Sequence, residues 1–158
     1  MINQDKVRNA LRDRYTFLDV LGEGAIGTVY RVRDTLTERL VAIKVLNVDD
    51  TAARERFHTE TRAVSRLRHP NIISFQEANE VDGILYYVQE YVSGESLKDV
   101  LDRVGRLALE QAIEVAAAVA RALQYAHSFG ILHRDIKPAN VLIPRGPGGA
   151  RVLGSKAG

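Results

Sequence analysis

The chain has 158 residues, a formal net charge of +2, 46% hydrophobic and 27% charged residues, and no cysteine. That length suits one domain with a real core, or one lobe and part of another. The missing cysteines exclude disulfides and thiolate metal sites, and so small a charge makes no case for nucleic acid. The N-terminus, Met1 to Lys6, lacks the apolar stretch of a signal peptide, and Ala112–Ala126 is interrupted by Glu114, Arg121 and Gln124. No membrane segment is therefore expected, and the chain reads as a soluble cytoplasmic protein.

Taken in chain order, Gln4 to Arg14 carries Val7, Ala10 and Leu11 at the spacing of a short leading helix. Tyr15 to Leu21 reads as a strand running into Gly22-Glu23-Gly24-Ala25-Ile26-Gly27. Thr28 to Arg33 alternates, and Arg39 to Leu46 is a β-branched run. Thr51 is placed to cap a helix through Leu67 whose apolar stripe is Phe57, Val64 and Leu67. The arginines from Arg54 to Arg68 read as its solvated face. His69-Pro70-Asn71 breaks that helix, and two strands follow, Ile72 to Ala78 and Ile84 to Glu90, joined across Val81-Asp82-Gly83. Beyond Val92-Ser93-Gly94 the pattern turns helical, first Ser96 to Val104 and then Leu109 to Ser128, closed by Gly130. Five strands around one helix, then helices, predict an α+β arrangement in two parts, with Tyr91 to Glu95 as the hinge.

Three places carry chemistry. Gly22-x-Gly24-x-x-Gly27 alone is a weak signal, since the same spacing marks dinucleotide-binding turns, which open a helix. Here a strand pattern follows, Thr28-Val29-Tyr30-Arg31-Val32, so the glycines sit at a hairpin tip and a dinucleotide-binding oxidoreductase is disfavoured. Such a tip offers backbone N–H groups to phosphate oxygens. Lys44 lies inside the apolar strand Val41-Ala42-Ile43-Lys44-Val45-Leu46, where an ammonium is costly without a partner or an anionic ligand. Glu60, three residues after Phe57 and four before Val64, shares the inward helix face and is the expected partner. Last, His133-Arg134-Asp135-Ile136-Lys137-Pro138-Ala139-Asn140 gathers a carboxylate, a lysine and an amide in one polar loop between a long helix and the apolar run Val141-Leu142-Ile143.

In this order and spacing the three motifs resemble the protein kinases: a glycine-rich loop, the V-A-I-K strand and the H-R-D-x-K-P-x-N loop. The resemblance implies a protein-kinase-like α+β fold, with a five-stranded N-lobe and one regulatory helix at 15–90, a hinge at 91–95 and an incomplete helical C-lobe at 96–153. Residues 1–14 would be a leader helix and 154–158 an aberrant tail. It implies ATP and Mg2+ as cofactors and a protein hydroxyl as acceptor, and Lys137 points to the serine/threonine class. Asp135 would steer the attacking hydroxyl, Lys137 would stabilise the transferred phosphoryl group, and Lys44 would pair with Glu60. ATP would meet Leu21, Gly22, Glu23, Gly24, Ala25, Ile26, Gly27, Val29, Ala42 and Lys44, the backbone of Glu90 and Val92, and Leu142 as a floor. Asn140 would hold magnesium, His133 would pack the loop, and Arg134 would meet a phosphorylated activation loop. Gln89 makes the back of the pocket unusually polar. Ser96 stands where it could reach a ribose, but Ser96-Leu97-Lys98-Asp99 reads better as a helix cap.

The sequence departs from the family after Leu153, where Gly154-Ser155-Lys156 stands in place of D-F-G. The expectation is a truncated or frame-shifted kinase, weak or inactive in phosphotransfer; the alternative is a pseudokinase fragment that binds nucleotide or a partner. The helix from Leu109 to Ser128 keeps apolar positions at Ile113, Ala116, Val119, Ala120 and Leu123 that further helices would cover, which invites association with another protein.

Overall fold

Strand alternation sorts the first half of the chain into two faces. In the computed structural model, which describes residues 4–24, 27–47 and 51–153 without the side chains of 51–53, 56, 58, 60 and 63, five strands form one antiparallel sheet. They are β1 (Tyr15–Gly24), β2 (Gly27–Asp34), β3 (Leu40–Leu46), β4 (Phe75–Val81) and β5 (Ile84–Glu90), in the order β1-β2-β3-β5-β4. The back face carries Tyr30, Val32, Val41, Ile43, Tyr86 and Val88, all under 5% exposed. The leading helix α1 (Gln4–Leu11) covers that face, burying Val7 and Leu11 one turn apart in the same core. Each of these two side chains contributes about 1.5–3 kcal/mol by burial. The front face packs against α2 (Thr51–Val64), with Phe57 joining Leu46 and Leu85 in a smaller cluster and stacking on Tyr87 at 6.4 Å between ring centroids.

The β4–β5 turn is Asp82-Gly83, both with positive φ (50° and 75°) between the paired residues Val81 and Ile84. Positive φ at both centres is the hairpin geometry that matches strand twist. At the far end of the sheet, Glu77 accepts from the Tyr15 hydroxyl at 2.8 Å and pairs with Arg14 at 2.7 Å, fastening β1 to β4.

The chain divides into two compact units. One holds the chain through Ser65 together with Phe75–Tyr91; the other holds Arg66–Ser74 and the chain from Val92. The division corrects two expectations. The α2 helix ends at Val64, so Leu67, though buried, belongs to the second unit. The strand expected at Ile72–Ala78 begins at Phe75, because Ile72 bridges to Val152 instead and the Ile73 N–H donates to the Val152 carbonyl at 3.0 Å. Asn71 anchors the same segment, donating its side-chain amide to the Ala150 carbonyl at 2.9 Å. The bond partner of this stretch lies some eighty residues away, and no local pattern announces it.

The second unit contains a small sheet of β6 (Gly94–Ser96), β7 (Val141–Pro144) and β8 (Arg151–Val152), in that order, with α3 (Leu97–Val104) and α4 (Leu109–Ser128). Strand β6 falls in the expected hinge and was not foreseen there. Ser96 caps α3, accepting the Asp99 N–H at 3.1 Å, which supports the cap reading over a ribose contact. The last turn of α4 closes as expected at Gly130 (φ 73°): its N–H donates to the His127 carbonyl at 2.9 Å, and the Ile131 N–H to the Ala126 carbonyl at 3.0 Å. These paired bonds satisfy carbonyls the helix leaves open, and the left-handed backbone selects glycine. The inward stripe of α4 is alanine (Ala118, Ala122, Ala126), which lets the helix sit close to its neighbours. Of the apolar positions expected to be uncovered, Ile113 (58% exposed), Ala116 and Ala120 are exposed, whereas Val119 and Leu123 are half-buried. No helix among the described residues is long and apolar enough to cross a membrane.

Candidate functional site

In the first unit the register builds one row across the sheet. Gly22 faces Val29, Val29 faces Lys44, and Lys44 faces Tyr87. Directly opposed residues on neighbouring strands share a face, so these four lie together on the front. Next to them runs Asp19–Arg31–Ala42–Gln89. An irregularity between Val20 and Gly22 shifts the alternation by one. It turns Gly22 and Gly24 to the front and Glu23, opposite Thr28, to the back. Leu21 sits at that irregularity, 46% exposed.

The three glycines separate by physical reason. A Cβ on Gly27 would lie 2.1 Å from the Val45 carbonyl oxygen, so Gly27 is there because β2 and β3 approach closely. A Cβ on Gly22 would meet nothing within 4 Å, and one on Gly24 only the Gly27 carbonyl at 3.9 Å; neither residue has a positive φ. Among the described residues, nothing in the protein itself requires glycine at these two positions. Ala25 and Ile26 lie outside the described residues.

Lys44 is half-buried, its ammonium 5.8 Å from the centre of the Tyr87 ring. Burial pushes the Tyr87 hydroxyl up, and the ring presents its π face to the ammonium. Tyr87 was missed in the sequence: the Tyr86-Tyr87 pair shows that one ring faces each way, but only the register says which meets Lys44. The helix position of Glu60 is in place on α2, and its side chain lies outside the described residues. Ala42 is buried at 3%, Val29 and Glu90 are half-buried, and the Gln89 amide is buried at 9%.

In the second unit, the loop from His133 to Asn140 is organised by His133. Its Nε2 lies 2.8 Å from the Leu153 carbonyl oxygen, and its Nδ1 accepts the Asp135 N–H at 3.3 Å. With Nδ1 accepting, the proton sits on Nε2, and neither nitrogen is left for acid–base work. Arg134 takes φ 61°, a left-handed conformation that costs a non-glycine residue about 1–3 kcal/mol. That strain lets the chain reverse between His133, at 9% exposure, and Asp135. After it, the 3-10 turn Pro138–Asn140 starts on a proline and brings Asn140 back beside Asp135.

Asn140 uses both amide hydrogens on one residue, donating to the Asp135 carbonyl at 2.8 Å and to Asp135 Oδ2 at 3.0 Å. Lys137 Nζ lies 3.1 Å from the other carboxylate oxygen, Oδ1. The loop thus brings Asp135, Lys137 and Asn140 together, as the sequence suggested, with the carboxylate held between a cation and an amide. Leu142 is half-buried on β7, paired with Ser96 and Arg151, and Val92 is half-buried in the connection before β6.

The protein kinase domain family matches residues 15–151. The chain belongs to the protein kinase family. It is 42% identical over 135 residues to the probable serine/threonine-protein kinase PknB of Lactococcus lactis, a match covering 83% of this chain and 22% of that protein. It is 41% identical over 133 residues to the serine/threonine-protein kinase PrkC of Bacillus subtilis, covering 82% of this chain and 20% of that protein. Among solved structures it is similar to a double mutant of the Mycobacterium tuberculosis PknI kinase domain, with a TM-score of 0.79 at 35% identity. That match covers 88% of this chain and 57% of the other. The chain thus spans about a fifth of the length of the curated relatives it matches. Protein kinases as a family use ATP and magnesium.

Proposed function

We propose that this chain binds ATP and carries the phosphotransfer loop of a serine/threonine protein kinase. The observation that carries the reading is the Asp135 carboxylate, fixed at Oδ2 by Asn140 and at Oδ1 by Lys137. A carboxylate so held has one orientation, and it can accept the hydrogen bond of an incoming serine or threonine hydroxyl and turn its lone pair toward the γ-phosphorus. Lys137 meanwhile neutralises charge on the phosphoryl oxygens as they pass to the acceptor. On the first unit, the bare front of Gly22 and Gly24 leaves room for phosphates against backbone N–H groups, and Lys44 supplies a cation in the same row as Gly22. Leu21, Val29 and Ala42, with the Glu90 backbone, would take the base on that unit. The need for ATP argues for a cytoplasmic location.

Magnesium, when bound, supplies charge neutralisation at the phosphates. The donors suit it in part. Asn140 has spent its N–H groups on Asp135, which leaves Oδ1 as a hard oxygen ligand. Among the described residues, however, no group of three histidine or acidic side chains could hold a metal ion.

A second reading, nucleotide binding without transfer, is favoured by Gly154 standing where the family has the D-F-G aspartate. A phosphotransfer assay on a basic protein substrate separates the two. Turnover by the wild-type chain, lost in Asp135→Asn, supports the kinase. An ATP-dependent thermal shift without turnover, erased by Lys44→Ala, supports the binding module. Absence of both turnover and shift would refute each.

A further inference from the structure

The leader helix reaches the glycine loop. Gln4, the first residue of α1, donates its side-chain amide to Glu23 Oε1 at 2.8 Å, and Glu23 sits between Gly22 and Gly24. The contact exists because the irregularity in β1 turns Glu23 to the back face while its two glycine neighbours face front. Helix α1 lies on that back face, anchored by Val7 and Leu11, so its N-terminal end meets the loop from behind. The buried Tyr30 hydroxyl marks the same junction. Burial raises its pKa first, the Glu23 carboxylate raises it further, and Arg8 of α1 and a hydrogen bond with Thr28 lower it.

We propose that α1 is a clasp on the phosphate loop, in which Gln4 acts as a positioning residue that holds Glu23 back and so keeps the glycine backbone presented to phosphates. The inference rests on the nucleotide reading above. Glycine leaves a backbone more conformations than other residues, and ligand affinity falls when only a fraction of a site's conformations is competent to bind. One tethering hydrogen bond, made by a side chain outside the nucleotide face, raises that fraction by a few-fold. Because the clasp acts on the loop alone, its effect is confined to ligands that carry phosphates.

The test is a titration of the full chain with ATP and with adenosine, in wild-type, Gln4→Glu, Gln4→Ala and Gln4→Lys forms. Gln4→Glu sets two carboxylates against each other and should weaken ATP about three- to fivefold. Gln4→Ala should weaken it about two- to threefold, and Gln4→Lys, which can pair with Glu23, should restore it. Adenosine affinity should stay unchanged throughout, as should the melting temperature within about 2 °C. A helix that merely stabilised the fold would move the melting temperature and leave the ratio of ATP to adenosine affinity alone. An unchanged ratio in Gln4→Glu, with normal ATP binding by the wild type, would overturn the clasp and leave the nucleotide reading standing. No ATP binding by the wild type would overturn both.

Discussion

Replacing each glycine of the loop by alanine should split stability from binding. In Gly27→Ala the new methyl would lie 2.1 Å from the Val45 carbonyl oxygen, 3.0 Å from its carbonyl carbon and 3.1 Å from Leu46 Cα. All three are backbone atoms, so no side chain can swing away, and ordinary contact begins at 3.4 Å. Strands β2 and β3 must therefore part by more than 1 Å at that point. Overpacking of this kind costs about 1–3 kcal/mol, and each weakened ladder bond adds about 1 kcal/mol. Relief of glycine's backbone entropy returns about 0.5–1 kcal/mol, leaving a net loss of about 2–3 kcal/mol. For a unit of this size that lowers the melting temperature by roughly 10–15 °C. Gly22→Ala and Gly24→Ala meet no such obstacle and should match or slightly exceed the wild type in stability. Their methyls project instead into the space we assign to phosphates, and ATP affinity should fall about tenfold, roughly 1.4 kcal/mol. Urea denaturation gives the first quantity and ATP titration the second. Equal destabilisation in all three variants, or a Gly27→Ala protein as stable as wild type, would refute the assignment of separate roles.

Ser96→Ala should cost about 1 kcal/mol of stability through the lost cap on α3, with ATP affinity unchanged; a fall in affinity at constant stability would restore the ribose role. His133→Phe leaves the Leu153 carbonyl and the Asp135 N–H without their partner and should destabilise the loop by about 2–4 kcal/mol. Hydrogen exchange should then speed up at the Asp135 amide, and unchanged protection there would argue against the anchoring role. Four tyrosines, Tyr15, Tyr30, Tyr86 and Tyr87, have hydroxyls raised chiefly by burial, so the folded chain keeps protons that the unfolded chain releases. Below about pH 10 neither state ionises them and the full stability is present. As pH rises above that, the unfolded state is favoured by about 1.4 kcal/mol per pH unit for each such tyrosine until the folded hydroxyl also ionises. Tyr86→Phe should make the alkaline loss shallower by one proton, and denaturant midpoints between pH 9 and 11, values set by about the tyrosine range, measure the slope.

Much of this protein was legible in the sequence because the signals were local. The Asp135 loop lies within eight residues, so its carboxylate, lysine and amide are near neighbours by spacing alone, while the His133 anchor on Leu153 organises the loop that holds them. The bounds of α4 and its closing Gly130 followed from periodicity and from the left-handed backbone that only glycine takes cheaply. Alternation likewise gave the two faces of β2 and β3. Pairing across distance was not legible. Nothing local says that Ile72 leaves the first sheet to bridge Val152, that Tyr87 is the ring beside Lys44, or that His133 is held by Leu153. Nor could the three glycines be told apart, since Gly27 faces a backbone carbonyl of another strand and Gly22 faces open space. Composition and spacing determined which groups this chain owns and how they are ordered. Register, two irregularities in β1 and the packing of α1 decided which face each group shows, because a shift of one residue along a strand sends every following side chain to the opposite side.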